Sequence, residues 1–174
     1  MNELLKIILF LITLLILIYI LTPTNMTAFG LSVWPEPRKI IDYESDGINT
    51  SKQIFDIYSF SHISHGILFY FILKYFGFND YISIYLSIII EILWEIFENT
   101  PFIINKYRKK KEFENYKGDS IVNIIGDVIF TIFGIYLAQK NKGYSILYLL
   151  ISEILLLPLH ANLINLSVGS LIWN

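Results

Sequence analysis

The chain reads as five long apolar runs separated by polar segments. Leu4 to Leu21 is broken only by Lys6 and Thr13, and about twenty such residues cross a bilayer core. This run is too long for the usual hydrophobic region of a signal peptide. No small-x-small cleavage pattern follows it, so an uncleaved anchor is expected. Four further runs follow: Ile57 to Phe76, Tyr81 to Glu98, Ser120 to Ala138, and Tyr144 to about Leu163. Gly77-Phe78-Asn79-Asp80 closes the second, Pro101 stops the third, and Gln139-Lys140-Asn141-Lys142-Gly143 turns the chain between the fourth and fifth. The predicted fold is all-α, a polytopic transmembrane helix bundle of about five spans (4–21, 57–76, 81–98, 120–138 and 144–163) forming a single membrane domain over 1–174. Two extramembrane segments, 24–56 and 99–119, are expected. The first is long for a connection in a compact bundle. The tail from Ile164, with Trp173, is expected at the interface, where Trp is favoured.

Composition supports this class. Of 174 residues, 55% are hydrophobic and only 16% charged, against about 25% charged in a soluble chain. Cysteine is absent, which excludes disulfides, thiolate nucleophiles and Cys-containing metal sites. The net charge of −2 makes no polyanion binder. No basic-aromatic nucleic-acid surface, phosphate-binding glycine loop or Gly-x-Ser-x-Gly elbow is present. The expected partner is therefore the lipid bilayer, and nucleic acid is not expected. Lys109-Lys110-Lys111 reads as a solvated flank or an anionic-lipid contact. Gly126 and Gly134, eight apart, read as a close helix-packing face.

The few charges are the informative part. An ionisable residue in a span costs about 2.5–3.5 kcal/mol on insertion scales. Yet the second span holds His62 and His65, and the third holds Glu91, Glu95 and Glu98. The fourth holds Asn123 and Asp127 with Asp119 at its mouth, and the fifth holds Glu153 and His160. Glu91, Glu95 and Glu98 follow i, i+4, i+7, and Asp119, Asn123 and Asp127 follow i, i+4, i+8, so each set shares a helix face. With antiparallel spans these residues gather at the membrane face that bears the two long connections. At about 1.5 Å per residue, His65, Asp127 and Glu153 are each expected roughly 12 Å below it. A lone His or Asn would read as interhelical hydrogen bonding. Several carboxylates at one level repel unless protons, histidines or a cation neutralise them. A buried polar site is expected.

Three motifs carry a family resemblance. Ser61-His62-Ile63-Ser64-His65-Gly66-Ile67-Leu68-Phe69-Tyr70 is similar to Ser-His-x-x-His-Gly-x-x-Phe-Tyr. Glu91 to Pro101 resembles Glu-x-x-Trp-Glu-x-x-Glu-Asn-Ser-Pro and continues through Ile103-Ile104 into Tyr107-Arg108. Tyr116-Lys117-Gly118-Asp119-Ser120-Ile121-Val122-Asn123, with Asp127, resembles Tyr-x-Gly-Asp-Ser-x-x-Asn-x-x-x-Asp. In this order they resemble the membrane proteins known as domain of unknown function 2585, or uncharacterised protein family 0314, mainly of proteobacteria. The likeness runs from about Ser51 to Ala138, and Asp56 and Tyr58 also match. It departs at its ends. Gly30 and Trp34 stand without the family's Cys-x-Cys-Gly, and Ser51-Lys52-Gln53 lacks its His. His160-Ala161-Asn162-Leu163 replaces Arg-Asp-Asn-Leu, so no role of that Arg-Asp pair carries over. The resemblance implies a multi-pass protein of the bacterial inner membrane and no particular activity.

Orientation has two readings. Nine of the thirteen Lys and Arg lie on the motif face, which positive-inside counting would place in the cytoplasm. The resemblance implies the reverse, a periplasmic motif face, with Lys6, Lys74, Lys140 and Lys142 inside. The leading functional expectation is a membrane-embedded enzyme acting on a lipid or lipid-linked substrate. His62, His65, Glu95 and Asp119 are its candidate catalytic groups. His65, Glu91 and Asp127 are candidate ligands of a divalent metal ion, with Ser61, Glu98, Asn99 and Asn123 supporting them. The alternatives are a small ion- or proton-coupled carrier and a non-catalytic membrane assembly or binding partner.

Overall fold

A computed structural model describes residues 50–164 and 166. The expected first span, the segment up to Asn49 and Trp173 lie outside the described residues. All regular elements are helices: α1 (Ser59–Tyr75), α2 (Asp80–Glu98), the short α3 (Pro101–Tyr107), α4 (Ile121–Lys140) and α5 (Lys142–Leu156). Two 3-10 turns, Lys111–Phe113 and Leu157–Leu159, complete them.

Side-chain caps fix most helix starts, each satisfying an amide that has no partner inside its helix. The Asn79 side chain accepts from the Ile82 amide at 3.0 Å, and Ser120 Oγ accepts from the Asn123 amide at 3.1 Å. Thr100 caps α3, with Pro101 pre-shaped for its first turn. Asn141 serves two helices: its backbone amide closes α4 onto the Leu137 carbonyl, and its side chain opens α5 at the Tyr144 amide.

The most extensive helix contact is between α1 and α4, and both also touch α2 and α5. Small residues make this possible. A Cβ on Gly66 would strike the Thr131 carbonyl, and one on Gly134 would strike the Ile63 carbonyl. Thr131 Oγ1 then donates to the His62 carbonyl at 3.0 Å, across the same crossing. Around it lies an apolar core of Ile63, Ile67, Tyr70, Ile88, Ile92, Ile124, Val128, Ile135 and Ala138.

Polarity is distributed inside out. Glu91, Glu95, Asp127, His62, His65, Asn99 and Asn123 are buried. Leu93, Phe97, Ile129, Phe133, Leu147, Leu150, Ile154 and Leu155 are exposed. A soluble monomer seldom shows contiguous apolar surface on that scale. Among the described residues, two helical stretches are long and apolar enough to cross a membrane, Ile121–Lys140 and Lys142–Leu159. With 17 residues, α1 is shorter, and α2 carries Asp80 and three glutamates.

The end of the last apolar run departs from expectation. Helix α5 stops at Leu156, and Pro158 sits in the tight turn that follows. His160 takes a left-handed backbone conformation, φ 55°. The chain then reverses, so the helix does not continue to Leu163. Glu153 holds the reversal: its carboxylate accepts from Asn162 Nδ2 at 2.9 Å and from the Leu163 amide at 2.8 Å.

Candidate functional site

The site begins where the turn-rich segment before α1 meets the start of α4. The amide of Ser120 donates to the Ser51 carbonyl at 2.8 Å, and Ser120 Oγ donates to the Lys52 carbonyl at 3.0 Å. Asn123 Nδ2 donates to the Gln53 carbonyl at 2.9 Å. Asp56 gathers the segment, accepting from the Ser51 amide at 3.0 Å and the Tyr58 amide at 2.8 Å. Burial pushes the Asp56 carboxyl up to about 6, although those two amides favour its charged form.

These ties register α1 against α4, and α2 runs back beside them. His62 and His65, one turn apart on α1, meet the carboxylate of Glu91 on α2. His62 Nδ1 lies 2.5 Å from Oε1 and His65 Nδ1 lies 3.0 Å from Oε2. A carboxylate only accepts, so each Nδ1 carries the proton and donates. Nε2 is the nitrogen left on each ring for chemistry. Glu95 Oε1 stands 3.5 Å from His62 Nδ1, and Asp127 Oδ2 stands 3.8 Å from His62 Nε2. Glu91, Glu95 and Asp127 are 0%, 1% and 3% exposed. The His65 ring stacks on Phe69 at 5.3 Å and meets the edge of Trp94 at 6.0 Å.

A cavity of about 270 Å³ opens beside the histidines. Its wall includes Ser61, His62, His65, Trp94, Glu98, Asp119, Asn123 and Asp127. Lys52, Tyr58, Tyr107, Tyr116 and Lys117 also line it. The connection after α2 is folded over this space: Ile103, Tyr107 and Phe113 form one apolar cluster, with Tyr58, Tyr116 and Leu166 against it. The 99–119 segment is thus a packed wall of the cavity as well as a polar connection.

Asn99 pins that wall. Its Nδ2 donates to the Glu95 carbonyl at 2.9 Å and to Asp119 Oδ2 at 2.8 Å, while its Oδ1 accepts from the Asp119 amide at 2.6 Å. Tyr116 OH donates to the same Asp119 oxygen at 2.8 Å. Burial raises the Asp119 carboxyl, and the Tyr116 and Asn99 bonds oppose that rise. Burial likewise lifts the Tyr116 hydroxyl well above its usual range, so Tyr116 is a donor at neutral pH. Asn99→Ala strands the Asp119 amide and leaves Asp119 Oδ2 with the Tyr116 hydroxyl alone, and should destabilise the protein by about 1–3 kcal/mol. Asn99→Asp, which faces Asp119 with a second carboxylate, should be worse. Thermal unfolding in detergent measures both; an Asp variant more stable than the Ala variant would contradict this account of the pin.

The structure brings His62, His65, Glu91, Glu95 and Asp127 into one buried group. Asp119 is placed in the cavity wall, bonded to Asn99 and Tyr116. Asp127 faces His62 rather than His65. Ser61 Oγ is turned to the Tyr58 carbonyl at 2.6 Å, and Glu98 lines the cavity. Two residues expected at this level are elsewhere: Glu153 holds the reversal after α5, and His160 is exposed there. Sequence reasoning gave no role to Trp94, Tyr107, Tyr116, Lys52 or Lys117 in the cavity. Tyrosines recurring in an otherwise basic connection were the available signal.

Residues 37–174 match the family described as "Protein of unknown function (DUF2585)". A UPF0314 protein of Sphingopyxis alaskensis is 40% identical over 96 residues, which covers 54% of this chain and 51% of that protein. A UPF0314 protein of Agrobacterium fabrum is 35% identical over 133 residues, covering 73% of this chain and 67% of that protein. One from Sinorhizobium fredii is 41% identical over 92 residues, 52% of this chain and 47% of that protein. The chain spans about half the length of several of the curated relatives it matches. No solved structure matches.

Proposed function

The chain belongs to the DUF2585 family, and on that premise we propose that it is a membrane-embedded enzyme acting on a lipid or lipid-linked substrate. One observation carries this reading: Glu91 binds both histidine Nδ1 atoms and leaves two Nε2 atoms beside a polar cavity. A carboxylate that fixes an imidazole in this way sets its tautomer and ring orientation. His62 or His65 then exchanges protons with a substrate. Lys52 and Lys117 in the cavity wall suit an anionic headgroup. The apolar outer faces suit a chain that meets its substrate from the bilayer, as one multi-pass domain of the bacterial inner membrane. The four long helices and the 4–21 run make a five-span bundle, and its cavity faces the periplasm.

The carrier reading is less favoured. Beyond the cluster the core is filled by Ile67, Ile88, Ile135 and Ala138. The Ser87 hydroxyl there is bonded to the Ser83 carbonyl of its own helix. Among the described residues, such a core offers no second polar path. Nothing observed favours an assembly role over the enzyme.

Proteoliposomes made from total proteobacterial inner-membrane lipids test the proposal by mass spectrometry over time. One lipid class should be converted by the native chain, and His65→Asn should slow conversion at least about 100-fold. Lipid composition that changes no faster with the native chain than with His65→Asn would overturn it.

A further inference from the structure

We propose that His62, Glu95 and Asp127 hold one divalent first-row cation of the manganese, iron and zinc group. Its role in turnover, though not its existence, rests on the enzyme reading. The three residues offer ligand atoms that all lie within 4.8 Å of one another. All three are buried, so the cluster is not the exposed acidic patch that forms without an ion.

Two unpartnered atoms point to the ion. Glu95 Oε1 and Asp127 Oδ1 are buried and meet no hydrogen-bond donor. Glu95 Oε1 is 3.5 Å from His62 Nδ1, but that proton already goes to Glu91. A buried carboxylate oxygen without a donor is strongly unfavourable, and a cation removes the deficit at both oxygens at once. No lysine or arginine among the described residues forms an ion pair with these carboxylates. A second set, His62, His65 and Glu91, is equally compact. Its carboxylate is already filled by the two Nδ1 donors, so it supports the ligand set rather than forming it.

The chemistry agrees. His62 presents Nε2 toward Asp127 Oδ2 at 3.8 Å. Two ligands about 2.0–2.2 Å from a zinc-sized ion stand roughly 3–3.5 Å apart, so a small contraction brings this pair to ligand spacing, with Glu95 inside the same compact group. One imidazole with two carboxylates suits manganese, iron or zinc better than a thiolate-seeking metal. Glu91 behind His62 completes the carboxylate–histidine–metal arrangement that orients such a ligand. His65, on the other oxygen of Glu91, is left as the proton-transfer group next to the ion.

Full-length protein in detergent, stripped with a chelator, is titrated with Mn²⁺ and followed by loss of the free-ion EPR signal, with Zn²⁺ as competitor. The expected result is one ion per chain, with nitrogen modulation from one imidazole. Binding should weaken at least 100-fold in Asp127→Asn and in Glu95→Gln. It should be unchanged in Asp80→Asn, a surface acid paired with Lys74. Where a variant fails to fold, the stoichiometry and single-nitrogen coupling of the native protein decide. No stoichiometric binding of either ion, or binding indifferent to both substitutions, overturns the site. Lipid conversion that persists in stripped protein free of bound metal overturns the ion's role in turnover while leaving the enzyme reading intact. An ion bound at this trio in a protein that converts no lipid upholds the site and removes the enzyme reading.

Discussion

Glu91→Ala is expected to destabilise the protein by about 3–5 kcal/mol, the range for removing one partner of a buried charged network. Both oxygens of this side chain are occupied, by His62 Nδ1 and by His65 Nδ1, and the group is 0% exposed. Its loss leaves two ring N–H donors buried without their acceptors. Glu91→Gln separates packing from charge. The amide keeps one acceptor oxygen, but its nitrogen is a donor and confronts the second Nδ1–H. One imidazole must therefore change tautomer. Stability should fall by about 1–3 kcal/mol, less than for Ala. Thermal unfolding in detergent measures the stabilities, and ¹⁵N shifts of labelled histidine report the tautomers. The native protein should show both rings protonated at Nδ1, and the Gln variant should show one protonated at Nε2. Unchanged tautomers in the Gln variant would remove Glu91 as the group that orients both rings.

That junction was legible in the sequence because helical spacing reports side-chain direction. His62 and His65 at i, i+3, and Glu91 and Glu95 at i, i+4, could each face only one way. Their cost in an apolar run demanded a polar neighbour. What spacing does not give is pairing between helices. The sequence grouped Asp127 with His65 and Glu91, whereas its carboxylate stands 3.8 Å from His62 Nε2; which histidine it meets depends on how closely α1 and α4 approach at Gly66 and Gly134. Asp119 lies at a helix mouth, where the Asn99 side chain accepts from its amide and the next residue, Ser120, is tied to the Lys52 carbonyl. No periodicity describes such a segment.

The last apolar run was read too far because hydropathy does not register backbone geometry. Leu155 to Leu159 is apolar throughout apart from Pro158. The proline cannot donate to the preceding turn, so the run ends as a helix while remaining apolar. Glu153, counted as part of the site by depth alone, is the acceptor for the amides freed by that reversal. Depth is a coordinate along one helix, and it says nothing about the side on which a carboxylate finds donors. The connection after α2 does more than its lysines announce: Lys109 and Lys111 are exposed, while Tyr107, Phe113 and Tyr116 between them make a cavity wall.

Gly66→Ala should lower stability by about 1–3 kcal/mol, the cost of forcing atoms into a filled contact. Its new Cβ meets the Thr131 carbonyl, a backbone group that cannot rotate away, so α1 and α4 must separate. Gly134→Ala meets the Ile63 carbonyl at the same crossing and should cost a similar amount alone. The two should not add. Once one methyl group has parted the helices, the second enters space already opened, so the double variant should lose less than the sum. Gly126→Ala instead meets the Ile54 carbonyl, in the segment before α1, and should add in full to either. Separation at the crossing also moves His62 away from Asp127, because these residues stand on the two helices involved. Gly66→Ala should therefore weaken Mn²⁺ binding although it touches no proposed ligand. Unfolding in detergent over the four-member cycle decides the matter. Strict additivity of Gly66→Ala and Gly134→Ala would show that the helices yield locally, and that their approach does not set the spacing of the site.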